Sequence, residues 1–227
     1  MRASMAITGA ACLALAAAWA TPAWSQDKAA GAAGAANTQD PSQLVQSVAE
    51  GLLKDLDANR DMYRKDPKAM RALVDKHLLP HFDVQYSARL VLGKHNRDIT
   101  PEQRDRFINA FENSLVQNYG TALVEFTANR LKVLPSHVDP SAKSTTVRSE
   151  IRRDDGSTVP VDYTLHMVDG QWKAWDVVIS GISYVKSFRD DFGAEIDQKG
   201  IDAVIDRMEK GGKPAGLQNQ THPTQKS

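Results

Sequence analysis

The sequence predicts an α+β domain in which helices come first, a four-stranded antiparallel meander follows, and helices return. Two observations carry this. The hydrophobic period is three to four along Leu44, Val45, Val48, Leu52 and Leu56, two along Val159, Val161, Tyr163, Leu165 and Met167, and three to four again along Ile182, Val185, Phe188, Phe192 and Ile196. The punctuation changes with the period: Asp40-Pro41, Asp66-Pro67 and Thr100-Pro101 are helix starts, whereas Asp154-Asp155-Gly156 and Asp169-Gly170 are hairpin turns. Helices and strands come in blocks, which is the α+β arrangement.

Residues 1–25 have the three-part plan of a secretory signal: Arg2, an apolar core from Ala6 to Ala20, and a small-residue exit at Ala23-Trp24-Ser25, with cleavage expected after Ser25. The apolar run, about 14 residues, falls short of the roughly 20 that span a bilayer. The single cysteine, Cys12, lies inside this run rather than after it, which argues against a lipid-anchored exit. The mature chain then has no cysteine and depends on a packed core in spite of an oxidising destination. Residues 26–39 are mostly alanine and glycine and read as a linker.

The domain is expected over 40–210. Its first helix follows Asp40-Pro41, and a second, carrying Met70, Leu73, Val74 and His77, ends at Pro80. A third is expected from Phe82 to Gly93, with the glycine as its stop. Thr100-Pro101-Glu102-Gln103 is a capping box for a long one-sided helix bearing Phe107, Ile108, Phe111, Leu115, Val116 and Tyr119. Strands follow at 131–134, 145–152, from about 158 to 168, and from Trp172. In the last, Trp172, Ala174 and Val178 are expected on one face and Trp175, Val177 and Ile179 on the other, with Asp176 breaking the alternation. Gly181 is expected to turn this strand directly into a helix beginning at Ile182. The apolar sheet face then needs a cover, for which the Pro101 helix and the helix after Gly181 are the candidates. A last helix carries Ile201, Val204, Ile205 and Met208, and residues 211–227 form a polar tail expected to be disordered.

Several function classes are disfavoured. Lys and Arg number 28 against 28 Asp and Glu, and the basic cluster Arg148, Arg152, Arg153 is interrupted by acids, so nucleic acid is not an expected partner. His77 and His81 are separated by Pro80 and lack the glutamate of a zinc-protease helix, so no metal is expected. Asp162, His166 and Asp176 could converge across strands as an acid/base set, but the first two lie on the polar sheet face, where solvation is the ordinary role. A phosphate loop, a nucleophile elbow and a mature thiol are all missing; no catalytic residue and no cofactor are assigned.

The runs LLPHFDVQYSARLVLGKH, TPEQRDRFINAFENSLVQNYGTAL, WKAWDVVISGISYVKSFRDDFG and QKGIDAVIDRM, in this order and spacing over residues 40 to 210, resemble the toluene-tolerance (MlaC/Ttg) family of periplasmic phospholipid-binding proteins. The most specific parts are Leu90 to Gly93, the run from Asp176 to Ser183, and Lys199-Gly200-Ile201-Asp202. The resemblance implies a twisted antiparallel sheet wrapped by helices, an NTF2-like cone with an apolar cavity. It implies a periplasmic carrier that moves glycerophospholipid between outer and inner membranes and so maintains outer-membrane lipid asymmetry. The implied partners are an inner-membrane Mla ABC transporter complex with an MlaD-type subunit, and an outer-membrane MlaA-type lipoprotein with a porin.

Such a cargo sets a physical requirement. At about 0.8 kcal/mol per methylene, two acyl chains of some 30 carbons cost on the order of 20 kcal/mol to leave in water, so a carrier has to hide them almost entirely. The expected lining is Leu90, Phe107, Phe111, Leu115, Val147, Ile151, Tyr163, Leu165, Val177, Ile179, Ile182, Val185, Phe188 and Phe192, with Gly181 as the hinge that opens it. The alternatives are an NTF2-like small-molecule enzyme with a polar pocket and an envelope adaptor with a solid core.

Overall fold

The computed structural model describes residues 40–124, 130–136, 138–139, 141–153 and 155–212; the expected signal, the linker and all but the start of the tail lie outside them. Helix α1 (Pro41–Lys65) starts where the Asp40 carboxylate accepts from the backbone N–H groups of Ser42 and Gln43, at 2.7 and 3.3 Å. It kinks at Asn59, whose φ is −147°. Asp66 caps α2 (Pro67–His77) in the same way, through Lys68 N at 2.8 Å. The third helix starts later than expected. Phe82 forms a bridge to Ala174 and Asp83 N donates to Ala174 O at 2.7 Å, so its backbone is committed to the sheet and α3 runs only from Val84 to Leu92.

Helix α4 (Pro101–Leu123) carries the capping box: Gln103 N donates to Thr100 Oγ1 at 3.2 Å and Thr100 N to Gln103 Oε1 at 3.0 Å. It passes through Gly120, where a Cβ would come within 2.9 Å of Met70 Cγ, so the glycine lets α2 and α4 approach closely. Helices α5 (Tyr184–Lys199) and α6 (Ile201–Glu209) meet at Gly200 and are clamped by Arg207 against the buried Glu195 carboxylate, with two contacts of 2.8 and 2.7 Å.

The sheet has five strands rather than four: β1 (Leu131–Val133), β2 (Ser144–Arg152), β3 (Thr158–Val168), β4 (Gln171–Ile179) and β5 (Ile182–Ser183), neighbours in chain order and all antiparallel. Two-residue turns join the last three. Asp169 and Gly170 have φ of 49° and 77°, and Ser180 and Gly181 have 51° and 81°, the positive pairs that match the twist of a hairpin. Gly181 therefore turns a strand into a strand. Ile182 pairs with Ile179 and Ser183 with Val178, which holds these two residues extended and delays α5 to Tyr184.

The register corrects the facial assignment of β4. Thr164 lies opposite Asp176 but Leu165 opposite Ala174, so Trp175 is an extra residue, a bulge that inverts the parity of the strand. Trp172 and Ala174 thus share the apolar face with Val177 and Ile179, while Trp175 and Asp176 turn to the other side. There Trp175 meets Tyr86 of α3 edge-on at 5.6 Å and packs against the helical core.

The expected cover is corrected as well. Among the described residues, α1 lies over the apolar face through Leu44, Val45 and Val48, whereas α5 packs with α3 on the opposite side of β4. Buried apolar side chains form three clusters: α3, α4, α5 and α6 around four phenylalanines; α1, α2 and Val124, joined to the first through Leu79; and the sheet face with Leu44 and Trp172.

Candidate functional site

The expected lining divides between two of these clusters. Phe107, Phe111, Phe188 and Phe192 are buried and mutually packed, with ring centroids 5.6 Å apart for Phe107–Phe192 and Phe111–Phe188. Val185 is buried with them, and Leu90 and Leu115 pack against them partly buried. These seven belong to a close-packed helical core. The sheet residues sit elsewhere. Val147, Tyr163 and Val177 form one row across β2, β3 and β4; Ser149, Val161, Ile179 and Ile182 form the next; Ile151 and Val159 the one beyond.

Burial along this face is uneven. Val147 and Leu165 are fully buried beneath α1, while Ile151, Tyr163, Val177 and Ile179 keep accessible surface and Ile182 is 54% exposed. Tyr163 is the informative residue. Burial pushes its phenol up, with a hydrogen bond from Ser149 pulling the other way, yet the side chain retains surface. Tyr163 is thus a partly covered member of the apolar face, beside Val147 and Val177.

Leu44, Val45, Val48, Val133, Met167, Ala174 and Trp172 share the sheet cluster and were not expected in the lining. For Trp172 and Ala174 the signal was Asp176 itself. A carboxylate interrupting an apolar alternation is the mark of a bulge.

The polar groups are individually engaged. Asp176, 4% exposed, accepts from Ser183 Oγ at 2.6 Å and from Val185 N at 3.0 Å, tying β5 and the start of α5 to β4. His166 Nε2 meets Asp83 Oδ2 at 3.1 Å, and its ring packs against Tyr86 at 4.6 Å with the planes tilted by 46°. Asp162, by register, faces Arg148 and Val178. The three residues considered as an acid/base set therefore hold separate partners. His77 Nε2 lies 2.8 Å from Asp55 Oδ2, and among the described residues no cluster of three His, Cys, Asp or Glu could hold a metal. A surface cleft of about 340 Å³ between α3 and α5 is lined by Gly93, Lys94, His95, Arg189, Asp190 and Asp197, a charged wall unsuited to hydrocarbon.

Comparison with known proteins gives a consistent result. A family model described as MlaC protein matches residues 46–210. The toluene tolerance protein ttg2D of Pseudomonas putida is 35% identical over 171 residues, covering 74% of this chain and 79% of that protein. The intermembrane phospholipid transport system binding protein MlaC of Haemophilus influenzae is 25% identical over 184 residues, 79% of this chain and 86% of its own length. In fold, the chain is similar to a phospholipid-binding protein from Ralstonia solanacearum solved in complex with a phospholipid, with a TM-score of 0.70 at 21% identity over 79% of this chain and 98% of that one.

Proposed function

The chain belongs to the MlaC family, and from that premise we propose that it is a periplasmic carrier that holds glycerophospholipid by its acyl chains and shuttles it between the outer and inner membranes, maintaining outer-membrane lipid asymmetry. One observation supports this reading above the rest. On the apolar sheet face Ile151, Tyr163, Val177 and Ile179 stay only partly buried, although Val147, Val159, Val161 and Leu165 on the same face are buried. Apolar side chains left partly uncovered on this face are what bound acyl chains would cover, and that supports the reading.

The sheet members of the expected lining are the ones assigned to acyl chains. The helical set of Leu90, Phe107, Phe111, Leu115, Val185, Phe188 and Phe192 is the wall's solid support, with Leu115 and Leu90 at its border. The cone is NTF2-like, with the lipid between the sheet and its cover. Gly181 acts as hinge through the β4–β5 hairpin rather than at a strand–helix joint. Residues 1–25 are the cleaved signal, 26–39 the linker, 40–210 the lipid-binding domain and 211–227 the tail. The partners are an MlaD-type subunit of an inner-membrane ABC transporter and an MlaA-type lipoprotein with its porin.

Organic extraction of the protein purified from the periplasm, followed by lipid mass spectrometry, tests the reading. Stoichiometric phospholipid is expected. A protein free of lipid after gentle purification, and unable to take it up from vesicles, would return the choice to the small-molecule enzyme or the adaptor. Val177→Trp tests the location: filling the hollow is expected to shorten or reduce the bound chains, whereas Phe107→Leu in the helical core is expected to lower stability by about 1 kcal/mol and leave the lipid profile unchanged.

A further inference from the structure

We propose that Arg153 is the phosphate subsite of the acyl-chain face: its guanidinium takes the phosphodiester of the carried lipid at the β2–β3 turn, and the chains run from there along β2 and β3 toward α1. The inference rests on the carrier reading above. Arg153 N donates to Ser157 O at 2.8 Å and Gly156 N to Arg153 O at 3.1 Å, so the ladder that pairs Arg152 with Thr158 extends one residue further into the turn. Residues two apart in a strand share a face. Arg153 therefore follows Val147, Ser149 and Ile151 on the apolar side of β2, one step beyond the partly uncovered Ile151, while Arg148 and Arg152 stand on the opposite side.

The side chain lacks what a phosphate oxygen would supply. Arg153 is partly buried, and its Nε, shut off from water, has no hydrogen-bond partner. Hydrogen bonds from Ser157 and, more weakly, the charge of Arg153 hold the Asp155 carboxyl below its usual range. Yet Asp155 Oδ1 accepts from Ser157 N and Oγ at 2.9 and 2.6 Å, and it forms no ion pair with the arginine. An arginine N–H cut off from water and left without an acceptor is destabilising, and a bound oxygen removes that penalty. The planar guanidinium matches phosphate oxygens in geometry and keeps its charge at any working pH. The dimensions agree as well. At about 3.4 Å per residue, Arg153 stands about 20 Å from Val147 along β2. One leaflet's share of a hydrocarbon core of about 30 Å is about 15 Å, which leaves room for the glycerol between phosphate and chain. A lipid held at Arg153 therefore lays its chains over Ile151 and Tyr163 and ends them near Val147 and Leu165, where α1 closes the face. Ser149, the polar member of that row, is buried and hydrogen-bonded to Val161 O at 2.7 Å, so it puts no bare donor in their way.

The experiment strips the mature chain of lipid with detergent and offers it, in mixed micelles, equal amounts of dipalmitoyl phosphatidylglycerol and dipalmitoylglycerol, which has the same chains and no phosphate. Bound lipid is read by extraction and mass spectrometry, and thermal unfolding of the lipid-free proteins is recorded alongside. The parent is expected to favour the phospholipid about tenfold. Arg153→Met keeps the stem and removes every donor. It is expected to bind the two lipids alike, by losing phospholipid while diacylglycerol stays unchanged, and to unfold lipid-free at the parent's temperature or above. Arg152→Met, exposed on the opposite face, is the control and is expected to keep the full preference. A preference that survives in Arg153→Met, or falls only as far as in Arg152→Met, overturns the subsite. So does a lipid-free Arg153→Met that unfolds well below the parent, because the guanidinium then serves the fold. An excess of inorganic phosphate is expected to leave bound phospholipid unchanged; if phosphate alone stabilises the parent and not Arg153→Met, the residue holds a free anion and the lipid assignment is overturned. In each of these cases phospholipid still bound by the parent leaves the carrier reading standing, whereas a parent that binds neither lipid overturns both.

Discussion

Glycines and charges with a single packing neighbour give the sharpest tests. Gly93 ends α3 with φ of 54°, and a Cβ there would lie 2.9 Å from Arg189 Nε; Gly181 has φ of 81° but open space around it. Gly93→Ala combines backbone strain with a steric push and is expected to cost about 2 kcal/mol, against about 1 kcal/mol for Gly181→Ala, read as urea midpoints. His81 supplies a pH dependence. Burial, then Lys173 and His77, hold its imidazole below the ordinary value. A depressed folded pKa means the unfolded chain binds the proton more tightly. The contribution is therefore fully present above the ordinary value of about 6.5 and is lost as pH falls through the lowered one. His81→Gln is expected to flatten the stability profile between about pH 7 and pH 5, measured by denaturant titration at each pH. Asp55, held down to about 2 by hydrogen bonds from Lys76 and His77, loses its contribution only in stronger acid, as pH drops through that value.

Capping and pairing decide where the elements begin, and they differ in how visible they are in a sequence. The Asp40, Asp66 and Thr100 caps and the Asp169-Gly170 turn are readable directly, because each is a contact between near neighbours in the chain. The Phe82 bridge, the Trp175 bulge and the β5 strand are not, because each depends on a partner that local pattern does not name. The candidate site shows the same division. Alternation in β3 was enough to place Tyr163 and Leu165 on the apolar face, but periodicity alone put the four phenylalanines of α4 and α5 into the same wall, when they close on one another instead. One residue connects several of these elements. Asp176→Asn keeps the shape but weakens the cap on α5 and the tie to Ser183, and is expected to cost about 2 kcal/mol. Its signature is faster amide exchange at Val185 and Lys186, with the α4–α6 interface unchanged; uniform acceleration across the domain would mean that the tie is not local.

The carrier reading has a consequence for the whole molecule. A carrier whose apolar sheet face is partly uncovered is short of apolar contact when empty and gains it when a hydrocarbon chain covers that face. Cargo that binds the folded state alone stabilises it by mass action, about 2.7 kcal/mol at a hundred-fold excess over its dissociation constant. For a domain of this length that corresponds to about 5–10 °C in Tm. Detergent extraction of bound phospholipid is therefore expected to lower Tm by about that amount, and readdition of lipid to restore it, with Val177→Trp moving less in both directions because the indole already covers part of that face. An adaptor with a solid core would show the same Tm before and after extraction. The variant separates the two accounts further, since overpacking a filled core costs about 1–3 kcal/mol, whereas placing the same side chain into a hollow raises the stability of the lipid-free protein. A lipid-free Tm that rises in Val177→Trp, together with a smaller response to phospholipid, locates the cargo between the apolar sheet face and α1.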